Sequence, residues 1–286
     1  MVEIIHHADA SELIALAGAC LELHESENNL PIGLAYALAK DPLCYGPEPP
    51  LLLSVLEQGR AIGAAVMTPP RRIILSKFVA NAEGAIAHLV RHLLETDASI
   101  PGVVGPASEA QAFAACWAEA VPSAAPKETI RLRVFEARAV ADVPFAAGAL
   151  RLASMDDLPL MAHWVDAFSQ EALGEPADLD KAKESAVRFI ADKQLYIWDC
   201  NGPTSIAKTT RPMRNGISVT AVYTPPEQRN KGYATSCVAS LTKKLLSERY
   251  SFCSLFADQA NPTSNSIYAK IGYVPLGDAL EIDFAT

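Results

Sequence analysis

Tyr223-Thr224-Pro225-Pro226-Glu227-Gln228-Arg229-Asn230-Lys231-Gly232-Tyr233-Ala234 is the stretch on which the reading of this chain turns. Before it, Ile217-Ser218-Val219-Thr220-Ala221-Val222-Tyr223 alternates with β-branched residues, as a packed strand does. After it, Ala234, Cys237, Val238, Leu241 and Leu245 recur at helical spacing and form one apolar stripe. The quoted residues are therefore a strand-loop-helix junction, where unpaired N–H groups of the first helical turn and the helix dipole favour an anion. Gly232 lets backbone approach a phosphate without a Cβ in the way, and Ala234 keeps the next contact small. Arg229 and Lys231 add charge. The plain alternative is an ordinary loop ahead of a helix.

Working outward, Leu195–Trp198 and Ser205–Thr210 read as strands around an Asn201-Gly202-Pro203 turn. Ser251–Ala257 reads as a buried strand, Ser264 as the N-cap of a helix to Ile271 stopped by Gly272, and Tyr273–Phe284 as a last strand. Helical patterns cover Met155–Phe168 and Leu179–Ala191. The first half repeats the order: strands Leu51–Leu56, Ala61–Met67 and Arg72–Ser76, helix Ala82–Glu95, strand Val103-Val104, helix Glu109–Ala120, strand Thr129–Glu136. This predicts a mixed α/β layered fold in two domains, 1–147 and 148–286, with Ala141–Gly148 as linker. An internal duplication and two unrelated α/β domains both fit that order.

The chain has 286 residues, of which 50% are hydrophobic and 20% charged, so it can bury a core without staples and is not a disordered type. The six cysteines form no Cys-x-x-Cys pair, and His88/His92 lacks the glutamate of a zinc helix, so no metal is expected. The net charge of -9 opposes nucleic-acid and anionic-membrane binding. The longest apolar run, Leu13–Leu21, is too short to span a bilayer, and the first residues lack a signal-peptide pattern, which predicts a cytoplasmic protein. Within the second half, Lys208, Arg211, Arg214, Arg229 and Lys231 face only Glu227, a basic island suited to a small polyanion. Neither the P-loop nor the dinucleotide glycine pattern occurs, and no Gly-x-Ser-x-Gly elbow is present.

Arg229-x-x-Gly232-x-Ala234 between a strand and a helix resembles the acetyl-CoA loop of the GCN5-related N-acetyltransferase (GNAT) superfamily. Downstream, Asn261-Pro262-Thr263-Ser264-Asn265-Ser266-Ile267-Tyr268-Ala269-Lys270-Ile271-Gly272-Tyr273 resembles that superfamily's closing segment. The resemblance covers about Ala149 to Thr286. With the weaker repeat it implies two GNAT-like mixed-sheet domains in tandem, the second complete and the first degenerate, because residues 1–147 hold no equivalent of the loop.

The resemblance implies acetyl-CoA as co-substrate and a small-molecule or peptide amine as acceptor. It places Val222, Tyr223 and Thr224 on the strand edge that meets the pantetheine arm. Arg229, Asn230, Lys231, Gly232, Tyr233 and Ala234 fall at the pyrophosphate, and Asn261 and Tyr268 in the closing segment. It implies direct attack by a neutral amine on the thioester, with Tyr268 protonating or hydrogen-bonding the departing sulfur; Tyr268 as a packing residue is the alternative. No carboxylate stands on the strand Ile217–Tyr223 to serve as general base. Glu171, following a helix, and Asp258, ending a strand, are the nearest candidates, against readings as a solvated acid and a loop cap. Water-mediated deprotonation stays open. A non-catalytic CoA-binding module and an N-acyltransferase using a longer acyl chain are the competing functions.

Overall fold

A computed structural model describes residues 1–96 and 98–285. The element order is β1 (Val2–His6), α1 (Ala10–Leu21), α2 (Asn29–Lys40), β2 (Leu51–Glu57), β3 (Arg60–Met67), β4 (Ile73–Leu75), α3 (Ala82–Glu95), β5 (Gly102–Pro106), α4 (Ala107–Ala120) and β6 (Ala125–Ala137). It then repeats as β7 (Ala149–Leu152), α5 (Leu158–Leu173), α6 (Leu179–Ala191), β8 (Leu195–Asp199), β9 (Pro203–Thr210), β10 (Gly216–Tyr223), α7 (Tyr233–Glu248), β11 (Phe252–Asp258), α8 (Pro262–Ile271) and β12 (Val274–Ala285). The two halves share one sequence of elements, β-α-α-β-β-β-α-β-α-β. The mixed α/β class expected from sequence is present, and so is the repeated order.

The chain packs as two compact units that do not follow the two halves. The first comprises Met1–Phe135, Phe256–Asn261 and Pro275–Thr286; the second comprises Glu136–Leu255 and Pro262–Val274. In the first unit the strands run β1-β2-β3-β4-β5-β12-β6. β12 pairs antiparallel with β5, Leu280 against Gly105 and Ile282 against Val103. Leu280, Ile282 and Phe284 alternate inward from it, and Phe284 stacks on Phe113 (6.2 Å) and Trp117 (5.9 Å). Arg72 ties β12 from outside, to Glu281 at 3.0 Å and Asp283 at 2.5 Å. α3 buries Ala85, Ile86, Leu89, Val90 and Leu93, the stripe its sequence predicts.

In the second unit the strands run β11-β10-β9-β8-β7. Met161, Trp164 and Val165 of α5 and Ala182, Ala186 and Ile190 of α6 form one core with Leu195, Ile197, Ile206 and Tyr223 of the sheet. Arg151 braces its first strand, with 2.8 Å bonds to both oxygens of Asp157 and another to Asp199. Two local expectations are corrected. α8 begins at Pro262, so Ser264 lies inside it; proline suits the first helical position, where its missing N–H costs nothing. α5 runs on to Leu173, which puts Glu171 within its last turn instead of after the helix. Residues 141–148 have no regular structure but are packed: Phe145 stacks on Trp198 at 6.3 Å, and Trp198 Nε1 donates to the Ala147 carbonyl at 3.0 Å. β1, α1, α2 and β7 add to the elements expected from the sequence pattern.

Candidate active site

β10 and β11 run parallel, paired from Gly216/Phe252 to Ser218/Ser254. At the last pair the buried Ser218 and Ser254 hydroxyls lie 2.9 Å apart. β10 continues five residues further, to Tyr223, without a ladder partner on that side among the described residues. On its other side, toward β9, the register slips between Thr220 and Tyr223. Ala221 at this bulge has φ of +48°, a left-handed conformation that costs an L-residue of order 1 kcal/mol or more. The bulge interrupts the regular pairing with β9 at Ala221 and Val222. Thr220, Ala221 and Val222 are half-buried while Val219 and Tyr223 on either side are buried, so solvent reaches the strand at this point.

Pro225 and Pro226 follow, neither able to continue a ladder. Pro226–Gln228 is a short 3-10 turn, after which Asn230 (φ +61°) and Gly232 (φ +79°) are both left-handed. Two left-handed residues separated by one position turn the chain sharply into the N-terminus of α7. Gly232 stands at the N-cap of α7 with no side-chain cap bond. The first helical bond, Ser236 N–H to the Gly232 carbonyl, leaves the N–H groups of Tyr233 and Ala234 outside the helix ladder. A Cβ on Gly232 would meet only Ala146 Cβ, at 3.8 Å, so the backbone conformation and not crowding demands glycine there. Ser236 Oγ donates to the Gly232 carbonyl (3.0 Å) and accepts from Ala146 N–H (2.8 Å), tying residues 141–148 to the base of the loop.

Arg229 and Lys231 are both engaged by groups of the protein itself. Arg229 Nη2 meets Glu171 Oε2 at 2.6 Å, its Nε donates to the Thr224 carbonyl at 2.9 Å, and its guanidinium lies 5.9 Å from the Tyr223 ring centroid. Lys231 Nζ folds back onto the Glu227 carbonyl (2.9 Å) and Gln228 Oε1 (3.0 Å). Tyr223 Oη donates to Glu171 Oε1 at 3.5 Å; burial first, then the Glu171 charge, pushes this phenol up. Ser205 of β9 donates to the Tyr223 carbonyl (3.1 Å) and sits 2.8 Å from Thr224 Oγ1. The structure thus gathers Glu171, Tyr223, Thr224 and Arg229 into one connected group. Ser205 joins it, and Ser236 and Ala146 hold the base of the loop at Gly232, with no local signal in the sequence to mark them.

Tyr268 lies in α8, 8% exposed, edge-to-face with Tyr273 at 6.0 Å, and burial pushes its phenol up to about 12. Its hydroxyl is accordingly protonated at neutral pH, the state in which it can donate. Asp258 and Asn261 fall in the first compact unit. There Asp258 Oδ1 accepts from Ala260 N–H at 2.8 Å, and its carbonyl from Asn261 N–H at 3.1 Å, a loop-capping arrangement. Among the described residues no group of three or more His, Cys, Asp or Glu could hold a metal ion, and no helix is long and apolar enough to cross a membrane.

The first unit has the corresponding strand pair, β4 and β5, joined from Ile73/Val103 to Ile74/Val104. Its junction Lys77-Phe78-Val79-Ala80-Asn81 holds no glycine. The Phe78 N–H is taken by Glu109 Oε1 at 3.1 Å, and Glu109 itself is buried and bonded to Ser108 Oγ at 2.5 Å. Across the strand pair, Gly105 approaches so closely that a Cβ there would stand 3.1 Å from Leu75 Cβ.

The sequence profile of one protein family, described as FR47-like protein, matches residues 205–279, the segment from β9 into β12. No curated protein matches the chain. Among solved structures, a GCN5-related N-acetyltransferase from Sphaerobacter thermophilus superposes with a TM-score of 0.61 at 15% identity, over 99% of this chain and 95% of that one. A GNAT-family acetyltransferase from Colwellia psychrerythraea gives 0.59 at 12% identity, over 99% and 98%. A tandem GNAT protein from the clavulanic acid biosynthesis pathway gives 0.56 at 13% identity, over 100% and 98%. The chain has the GNAT fold, and the likeness to a tandem protein runs its whole length.

Proposed function

We propose that the chain is an N-acetyltransferase that moves acetyl from acetyl-CoA to a primary amine of a small-molecule or peptide acceptor, working in the cytoplasm, with the chemistry at β10 of the second unit. The observation that carries this reading is the coincidence of two features. β10 leaves β11 after Ser218 and bulges at Ala221, and the loop that follows ends in an α7 N-terminus without a side-chain cap. An extended edge and the uncapped N–H groups of a helix N-terminus at its end suit a molecule with an amide-rich arm and a pyrophosphate.

In this reading the edge Val222-Tyr223-Thr224 holds the pantetheine arm, and the N–H groups from Asn230 to Ala234 take the pyrophosphate. Arg229 fixes the loop instead of touching phosphate. A backbone N–H at the bulge stabilises the oxyanion formed when a neutral amine attacks the thioester carbonyl. The carbon–sulfur bond then breaks, and Tyr268 supplies a proton to the departing thiolate. Both oxygens of Glu171 are engaged by Arg229 and Tyr223, so water takes the amine's proton and Glu171 orients the strand end. The first unit binds no acetyl-CoA, because Glu109 holds the Phe78 amide and Gly105 closes on Leu75.

The test is release of free CoA from the full-length chain, followed with a thiol reagent across a panel of primary amines, with acetyl-CoA and longer acyl-CoAs in parallel. Amine-dependent release greatest with acetyl-CoA is the expected result. Binding of CoA without release for any amine would support the non-catalytic module instead, and a rate that climbs with chain length would make the donor a longer acyl-CoA.

A further inference from the structure

Lys208, in β9, is a buried cation whose nearest described partner is an aromatic ring. It is 8% exposed, and its ammonium lies 4.2 Å from the centroid of the Phe189 ring of α6. Among the described residues it makes no salt bridge. The charges around it make matters worse: Arg188 of α6 and Arg211 beyond the end of β9 are both close enough to oppose its protonation, and only Asp192 favours it. Burial first, then these two cations, brings the amine down to about 8, so a large share of it is still charged at neutral pH. Cation–π attraction to Phe189 offsets part of the lost hydration but brings no negative charge. Buried charges in folded proteins are ordinarily paired, and Lys208 departs from that rule: among the described residues its ammonium meets an aromatic face and no carboxylate within ion-pair distance.

Its place in the fold says where a neutralising group would come from. Lys208 pairs with Thr220 of β10, the residue before the left-handed Ala221. Side chains on a strand alternate, so Lys208 shares a face with Ile206, which packs against α5 and α6 in the core that also holds Tyr223. Directly paired strand residues lie about 5 Å apart at Cα, which puts Lys208 one strand away from the open stretch Thr220-Ala221-Val222.

We propose that Lys208, buried over Phe189 and paired with Thr220 beside the β10 bulge, is a subsite for an oxyanion, a carboxylate or phosphate, carried by the acceptor, so that the amine acetylated is one that also bears an acidic group. This rests on the transfer reading given above for the same face of β10. The overall charge of -9 repels such an acceptor at a distance, and the local basic island receives it.

The test uses the full-length chain with CoA at saturation, so that the Gly232 loop is filled, and compares wild type, Lys208→Met and Lys208→Arg. Removing an unpaired buried charge by a methionine of similar shape is not expected to lower the thermal midpoint. Inorganic phosphate and acetate, the probes, are expected to raise the midpoint of wild type saturably, to do so in Lys208→Arg, and to leave Lys208→Met unmoved. In turnover, ethylamine is paired with β-alanine and ethanolamine with O-phosphoethanolamine, which separates carboxylate from phosphate. At least one acid-bearing member is expected to exceed its partner tenfold or more in kcat/KM, through KM, with the ratio falling toward one in Lys208→Met. Equal anion stabilisation in wild type and Lys208→Met, or an acid preference that survives the substitution, overturns the subsite. No acetylation of any amine overturns the transfer reading, and the thermal shifts with phosphate and acetate then still decide whether Lys208 binds an oxyanion.

Discussion

Replacing Arg229 by alanine separates two roles that predict different outcomes. A loop arginine beside a phosphate would hold it by charge, and the loss would shrink in high salt. The structure instead has Arg229 bonded to Glu171 and to the Thr224 carbonyl, over the Tyr223 ring. The side chains of Arg229 and Glu171 are 43% and 48% exposed, so their ion pair is screened and contributes about 0.5 kcal/mol. The bond to the carbonyl adds ~1 kcal/mol and the ring contact ~0.5 kcal/mol. Arg229→Ala should therefore cost about 2 kcal/mol, a fall in thermal midpoint of roughly 4–8 °C. Arg229→Lys should recover little of it, because one ammonium cannot hold Glu171 and Thr224 from a fork. Calorimetric titration with CoA at low and high salt is the second half of the assay. A brace predicts the same weakening in both variants and at both salt concentrations. Full recovery of affinity in Arg229→Lys, with an alanine defect that fades in salt, would refute the brace and restore Arg229 to the phosphate.

Tyr268→Phe keeps the ring contact with Tyr273 and removes only the hydroxyl; turnover should fall by roughly 10² to 10⁴ with CoA affinity intact. The defect should narrow above a pH of about 8.5, where a thiol leaves as thiolate unaided, and a loss independent of pH would mean that the hydroxyl positions the sulfur instead. Phe284→Ala empties a place between Phe113 and Trp117 and should cost about 3–5 kcal/mol in urea unfolding; less than ~1 kcal/mol would contradict the seat of β12 in the first core. By the same reasoning residues 1–147 expressed alone, lacking β12, should not fold cooperatively. Asp157, held by hydrogen bonds from Arg151, has its carboxyl depressed to about 2. A folded value below the unfolded one means stability present above a pH of about 4 and lost as pH falls through 2, so Asp157→Asn should cost about 2 kcal/mol at neutral pH and nothing in strong acid.

The sequence by itself determined what depends on neighbours along the chain. α3 and α6 fall at the residues their apolar stripes indicate, because a helix buries one face at a fixed spacing whatever it packs against. The strand-loop-helix junction was legible for the same reason, a loop between an alternating run and an apolar stripe; that Gly232 is there for its left-handed backbone, where the sequence suggested room for a phosphate, came from the structure. Ser264 is not the cap its residue type suggests, because proline at the first helical position moves the start of α8 back to Pro262. What tertiary structure decided is partnership. Nothing in the alternation of Leu280, Ile282 and Phe284 says that β12 pairs with β5 of the other half, since an inward-facing apolar row fits any sheet that offers a face. Nor does the sequence show that Arg229 is spent on Glu171, 58 positions away, or that Lys208 has Phe189 above it and, among the described residues, no salt bridge. Hydrogen bonds and buried charges are settled by which groups the fold brings within about 3 Å, and that distance is not written along the chain.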